Sequence, residues 1–289
     1  MRLAAFLVDG HSHVGLVDPT GHTITALDVP AAQAAYGVLP VIQALAEGRP
    51  LPAATDRRFH VKGVQLDAPL PKPRRNIWCM GRNYHAHAKE LSASVFKDND
   101  ANPASWPIVF TKVPECVVGP HDAVHVPTDL SEQIDYEAEL AVVIGKGGKN
   151  IARAAALSHV FGYTIVNDVT ARDVQMRHQQ WDMGKSFDTF CPMGPWIVTA
   201  DELDGTKTRV RCWVNGELRQ DGPTENMIFD IPTLIETISR GITLYPGDVI
   251  ATGTPAGVGM GLVPPRYLRA GDAVRIEVDG LGAIENRFV

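Results

Sequence analysis

The stretch Ile134-Asp135-Tyr136-Glu137-Ala138-Glu139-Leu140-Ala141-Val142-Val143-Ile144-Gly145 places a carboxylate at every second residue and then runs into unbroken apolar side chains. A short Val/Ile-rich run bounded in this way reads as a strand buried on both faces. Side chains alternate along a strand, so Asp135, Glu137 and Glu139 are expected on one face and Tyr136, Ala138 and Leu140 on the other. Like charges this close repel. Two readings therefore stand side by side: a solvated strand edge, or a cation site, whose oxygen-only ligands would favour Mg²⁺, Mn²⁺ or Ca²⁺ over zinc.

Downstream, Val160-Phe161-Gly162-Tyr163-Thr164-Ile165-Val166 forms a second buried run that stops at Asn167-Asp168. Asp168 is either a third carboxylate for the same cation or the N-cap of a helix expected over Val169 to Gln180, on which Arg172 and Gln175 share a face with it. Upstream, Gly81-Arg82-Asn83-Tyr84-His85-Ala86-His87-Ala88-Lys89-Glu90 follows a strand and opens a helix from His85 to Leu91. Glu90 lies three residues after His87, a spacing at which a carboxylate holds the imidazole tautomer and raises its basicity. The alternative is an ordinary surface histidine. His85 and His87 do not face each other on a helix and make a poor zinc pair.

Two further segments carry polar chemistry. Gly184-Lys185-Ser186-Phe187-Asp188 is not a phosphate-binding loop, because Gln179 stands where the first glycine is required; Lys185 is a surface lysine or a stabiliser of developing negative charge. Asp248-Val249-Ile250-Ala251-Thr252-Gly253-Thr254-Pro255-Ala256-Gly257-Val258-Gly259 is a strand feeding a glycine-rich loop. Its glycines lack dinucleotide-binding spacing, but its N–H groups are able to hold a small carboxylate.

The rest of the chain is strand-rich. Strands are expected at Asn76 to Met80, Ile108 to Lys112, Glu139 to Ile144, Val160 to Val166, Trp196 to Thr199, Val210 to Val214, Asp248 to Thr252 and Ala273 to Val278. Asn215-Gly216 and Asp279-Gly280 mark hairpins. Further helices are expected at Ala152 to Leu157 and Ile231 to Arg240. Leu3 to Val29 reads as a small meander, Pro30 to Glu47 as a short helix, and proline-rich Leu51 to Arg75 as a linker. This predicts a small N-terminal β domain (1–73) and a β-rich, mixed α+β main domain (74–289). Glu90 to Phe110 leaves room for a lid around Lys97 to Pro103.

Composition narrows the function. The 289 residues are 45% hydrophobic and 21% charged, enough for a sizeable core without disulfide or metal staples. Net charge is −6 and the 27 basic residues form no run, which argues against a nucleic-acid partner. The four cysteines contain no C-x-x-C, as in reduced cytosolic proteins. Asp9 cuts the N-terminal apolar run short of a signal peptide, and no stretch reaches membrane-spanning length. A cytoplasmic protein with a small ligand is expected.

Together, the ordered segments G-R-N-Y-x-x-H-x-x-E, D-Y-E-x-E-L, N-D-V-T-A-R-D, G-K-S-F-D and T-G-T-P-x-G-V-G resemble the fumarylacetoacetate hydrolase family. The match covers Asn76 to Val289 and is to its shorter branch of acylpyruvases, oxaloacetate decarboxylases and 2-hydroxyhepta-2,4-diene-1,7-dioate isomerases. The resemblance implies a β-roll or β-sandwich roll core, a homodimer, and a divalent metal, Mg²⁺ or else Mn²⁺ or Ca²⁺, on Glu137, Glu139 and Asp168. It further implies a water-activating His87/Glu90 pair, with Lys185, Arg172, Gln175, Thr254 and the adjoining Gly253 around the substrate's oxyanions. The expected reaction is hydrolytic carbon–carbon cleavage of a 2,4-dioxo acid, such as fumarylpyruvate or acetylpyruvate, through a chelated pyruvate enolate. Decarboxylation of oxaloacetate or isomerisation of a dienedioate by the same enolate chemistry is the alternative. A non-catalytic metal- or carboxylate-binding protein stands further back.

Overall fold

The computed structural model describes residues 1–92, 105–177 and 180–289. The expected lid at Lys97 to Pro103 lies outside them. The chain is a mixed α+β, sheet-dominated protein whose main sheet has 12 strands. Strands β1 (Arg2–Val8), β2 (His11–Val17), β3 (Thr23–Leu27) and β4 (Ala54–His60) form an antiparallel meander, and β5 (Gln65–Asp67) pairs with β1. The segment read as a linker thus holds two strands. Its first, β4, pairs only with β3 at the sheet edge, and an edge strand facing water needs few apolar residues to mark it.

The central strands are β6 (Ile77–Gly81), β7 (Ile108–Lys112), β8 (Val117–Val118), β9 (Ile134–Asp135), β10 (Ala138–Ile144), β11 (Val160–Asn167), β12 (Thr170–Ala171) and β13 (Cys191–Thr199). Strands β14 (Arg209–Val214), β15 (Glu217–Pro223), β16 (Val249–Ala251), β17 (Ala273–Val278) and β18 (Gly282–Arg287) follow. The main sheet runs β4-β3-β2-β1-β13-β11-β10-β16-β6-β7, while β15-β14-β17-β18 form a second sheet. Every residue of β10 is buried, as its apolar run requires. The β14–β15 hairpin turns through Asn215 and Gly216 at φ 51° and 81°, the left-handed pair that an Asn-Gly turn supplies. Strand β1 joins β13 through Arg2↔Val198 and Leu3↔Ile197, so the N-terminal meander shares its sheet with the central strands.

Helices are short. The Pro30 to Glu47 segment divides into α1 (Ala31–Ala34) and α2 (Leu39–Ala46), separated by Gly37 at φ 62°. Then come α3 (His85–Ser92), α4 (Arg172–Gln175), α5 (Asp182–Lys185) and α6 (Ile231–Ser239). Arg153–His159 is a 3₁₀ helix. The helix expected from Val169 shrinks to one turn, since Thr170 pairs with Asp135 as strand. Asp168 is therefore not a helix cap. All four cysteines are free and buried, and among the described residues no helix is long and apolar enough to cross a membrane.

Candidate active site

Antiparallel pairing sets Ala138 opposite Asn167 and Glu139 opposite Val166, so the acidic start of β10 meets the polar end of β11. The Asp168 N–H donates to the Glu137 carbonyl at 2.9 Å, and the Glu137 N–H donates to Asn167 Oδ1 at 3.1 Å. These bonds lock the two loops together. Glu137, Glu139 and Asp168 consequently converge, each offering an oxygen within 4.8 Å of the others, and all three are buried.

Three cations of the chain close round them. Lys185 Nζ donates to Glu137 Oε2 at 2.8 Å and to Asp168 Oδ2 at 2.7 Å. Arg172 Nη2 lies 2.7 Å from Glu137 Oε1. Lys112 Nζ donates to Asp168 Oδ1 at 2.8 Å, to the Val169 carbonyl at 3.1 Å and to the Lys185 carbonyl. Burial works against the Glu137 charge, but Lys185 and Arg172 outweigh it and hold its carboxyl well below the usual range. Glu139 is the opposite case: burial first, then Asp168 and Glu137, push its carboxyl well above the usual range. Its Oε2 accepts the Gly253 N–H at 2.8 Å, while the buried Oε1 has no hydrogen-bond partner. A buried carboxylate oxygen without a donor, in a set of three converging carboxylates, suits a hard divalent cation. The donor set fits one.

Asp135 does not share that face. The strand breaks at Tyr136 and Glu137, between β9 and β10, and the strict alternation expected from the sequence is lost there. Instead Asp135 Oδ2 accepts from Arg172 Nε at 2.9 Å, and its carboxylate also takes the N–H groups of Gly259 at 2.7 Å and Met260 at 3.0 Å. Asp135 thus anchors the arginine that anchors Glu137. Removing one partner of a buried ion pair leaves the other charge uncompensated. Asp135→Ala is expected to cost about 3–5 kcal/mol, read as a lower urea midpoint; an unchanged midpoint would contradict this role.

His87 is buried and its Nδ1 lies 3.1 Å from Glu90 Oε2. Glu90 in turn accepts the Gly257 N–H, at 3.1 and 3.3 Å to its two oxygens. The glycine-rich loop therefore holds carboxylates of the protein itself: Glu139 through Gly253, Glu90 through Gly257, and Asp135 through Gly259 and Met260. This is how exposed N–H groups were expected to act, but on internal partners. Gly257 needs to be glycine twice over, with φ 107° and a Cβ that would fall 1.9 Å from the Arg219 carbonyl oxygen.

His87, Glu137, Arg172, Gln175, Lys185 and Thr254 line one pocket enclosing about 320 Å³ of empty space, open solvent included, with Phe110 and Trp181 as its aromatic wall. Arg172 Nη1 donates to Gln175 Oε1 at 3.2 Å. The Thr254 hydroxyl donates to the Ala138 carbonyl at 2.9 Å and accepts from Gln220 Nε2 at 2.7 Å, so it is tied to the wall. Lys112, Asn167 and Gln220 were not anticipated as site residues. The signal for Lys112 was present: it lies two residues after Phe110 on a strand, hence on the same buried face.

Sequence and fold comparisons agree with this architecture. The model for the fumarylacetoacetate (FAA) hydrolase C-terminal family matches residues 76–289. Oxaloacetate tautomerase YisK of Bacillus subtilis is 50% identical over 231 residues, 80% of this chain and 75% of that protein. The mitochondrial oxaloacetate tautomerase FAHD2A of Homo sapiens is 46% identical, over 78% of this chain and 70% of that protein. Among solved structures, the fumarylacetoacetate hydrolase of Exiguobacterium antarcticum superposes with a TM-score of 0.84 at 41% identity, covering 100% of this chain and 99% of that one. For the 2-hydroxyhepta-2,4-diene-1,7-dioate isomerase of Mycobacterium marinum the TM-score is 0.78 at 32% identity, covering 100% and 98%. The chain belongs to the fumarylacetoacetate hydrolase family. Within it, the two oxaloacetate tautomerases and the isomerase favour proton-transfer chemistry on an oxo acid over the hydrolytic cleavage expected first, which the Exiguobacterium antarcticum hydrolase alone of the four represents by name.

Proposed function

We propose that the protein interconverts the keto and enol forms of oxaloacetate or a closely similar 2-oxo dicarboxylic acid. The observation that carries the reading is the buried His87, paired with Glu90, lining the same pocket as Glu137 of the carboxylate cluster, in a chain 50% identical over 231 residues to an oxaloacetate tautomerase. Glu137, Glu139 and Asp168 are the residues to hold a divalent cation, Mg²⁺ or Mn²⁺, which when bound supplies Lewis-acid polarisation of the 2-oxo group.

The proton chemistry belongs to the side chains. His87, fixed through Nδ1 by Glu90, presents Nε2 to the C3 methylene and takes one proton from it. The C–H electron pair becomes the C2–C3 double bond, the carbonyl pair moves to the C2 oxygen, and that oxygen takes up a proton given back by the His87 imidazolium, so one proton moves from C3 to oxygen and the base is regenerated. Lys185 steadies the negative charge on the oxygen during the transfer, and Arg172 with Gln175 holds a substrate carboxylate. No water attacks and no carbon–carbon bond breaks, so the same base serves without the hydrolytic step. Proton transfer on a longer unsaturated dioate is the second reading, suggested by the Mycobacterium marinum neighbour.

The test follows the ultraviolet absorbance of freshly dissolved enol-oxaloacetate with and without protein, beside a panel of acylpyruvates assayed for pyruvate release. Accelerated loss of the enol band without pyruvate is expected. Fast pyruvate release from an acylpyruvate, with enol loss at the buffer rate, would overturn the reading. The chain is also proposed to act as a homodimer, with sedimentation velocity as the check.

A further inference from the structure

We propose that Lys185 is a built-in competitor of the divalent cation, whose ammonium weakens cation binding by standing on the same carboxylates. This rests on the reading of Glu137, Glu139 and Asp168 as a divalent-cation site. All four carboxylate oxygens of Glu137 and Asp168 have a cationic neighbour: Arg172 on Glu137 Oε1, Lys185 on Glu137 Oε2 and Asp168 Oδ2, and Lys112 on Asp168 Oδ1. The three cations are not held alike. Lys112 is also bonded to the Val169 and Lys185 carbonyls, and Arg172 to Asp135 and Gln175, so both are tied to groups outside the cluster.

Lys185 Nζ has no such second tether among the described residues. Its two bonds go to cluster carboxylates, and its remaining neighbour is the face of Phe110, with the ring centroid 4.9 Å away. A lysine is a compact charge on a flexible four-carbon stem, and an aromatic face attracts an ammonium. It is thus the one cation of the three able to yield toward the pocket when a divalent ion binds, while keeping its charge beside the substrate. Four buried carboxylates, Asp135 included, face three cations here. Deleting Lys185 raises the negative charge and frees two oxygens together. Deleting a merely structural lysine would loosen the carboxylates and weaken binding. The two roles have opposite signs.

The experiment is isothermal titration of the full chain with Mn²⁺, and again with Mg²⁺, for wild type, Lys185→Met and Lys185→Gln. Glutamine keeps a hydrogen-bond donor without charge and carries the test where methionine disturbs the fold. A Kd tightened roughly tenfold or more in the folded variants is expected, given the strength of unit charges at contact distance in a protein interior. An unchanged or weaker Kd in variants with wild-type circular dichroism overturns the proposal and leaves the cation site standing. Absence of binding to wild type and to both variants overturns both.

Discussion

Glu139→Gln removes divalent-cation binding and lowers turnover by about 10³-fold or more, while the melting temperature in chelator is no lower than that of wild type. The loss follows from the donor count. Glu139 Oε1 is the oxygen of the cluster left without a hydrogen bond, and an amide in its place withdraws the charge that binds a hard cation. Lewis-acid stabilisation is worth several kcal/mol, and each 1.36 kcal/mol is about tenfold in rate. The unharmed stability follows from electrostatics. Burial, Asp168 and Glu137 all disfavour the Glu139 carboxylate, so a neutral isostere relieves repulsion, and the Gln oxygen is still able to accept the Gly253 N–H. Titration calorimetry and thermal melts check both halves. A variant that melts far below wild type would make Glu139 a structural residue.

The second large effect is on His87. His87→Asn is expected to slow enol–keto interconversion by about 10²- to 10⁴-fold, the usual contribution of a positioned general base, with Mn²⁺ affinity unchanged. The imidazole is bonded to Glu90, outside the carboxylate cluster, so its removal takes away the proton carrier and leaves the cation ligands in place. Enol decay followed in the ultraviolet, paired with Mn²⁺ titration, separates these outcomes. A variant with full activity would exclude His87 as the base. One with lost Mn²⁺ binding would make it part of the cation site.

Much of this site is legible in the sequence because its signals are local. Leu140 to Ile144 reads as a buried strand from its shortness and its Val/Ile content, and the carboxylates at its head must then meet either water or a cation. His87 and Glu90 sit at helical spacing, and α3 does form there. What escaped depends on tertiary contacts. For Asp168 the sequence leaves a cluster carboxylate and a helix cap side by side, and it does not show that Lys112 and Lys185, 56 and 17 residues away, take its two oxygens. Asp135 looks like a fellow ligand until the chain breaks at Tyr136 and turns its carboxylate toward Arg172 and the glycine-rich loop. That loop is recognisable as a set of N–H donors, but residue types do not say which carboxylates those N–H groups meet. Strand β4 was hidden for a different reason: only Thr55 and Phe59 of its residues are even half-buried, so it carries almost no hydrophobic pattern.

Anomalous diffraction from crystals of the protein soaked in Mn²⁺ addresses the central claim most directly. The account predicts one strong peak bounded by Glu137, Glu139 and Asp168, in the pocket that holds His87. A difference map with no peak among those three side chains, or with its dominant peak at other carboxylates, would contradict it.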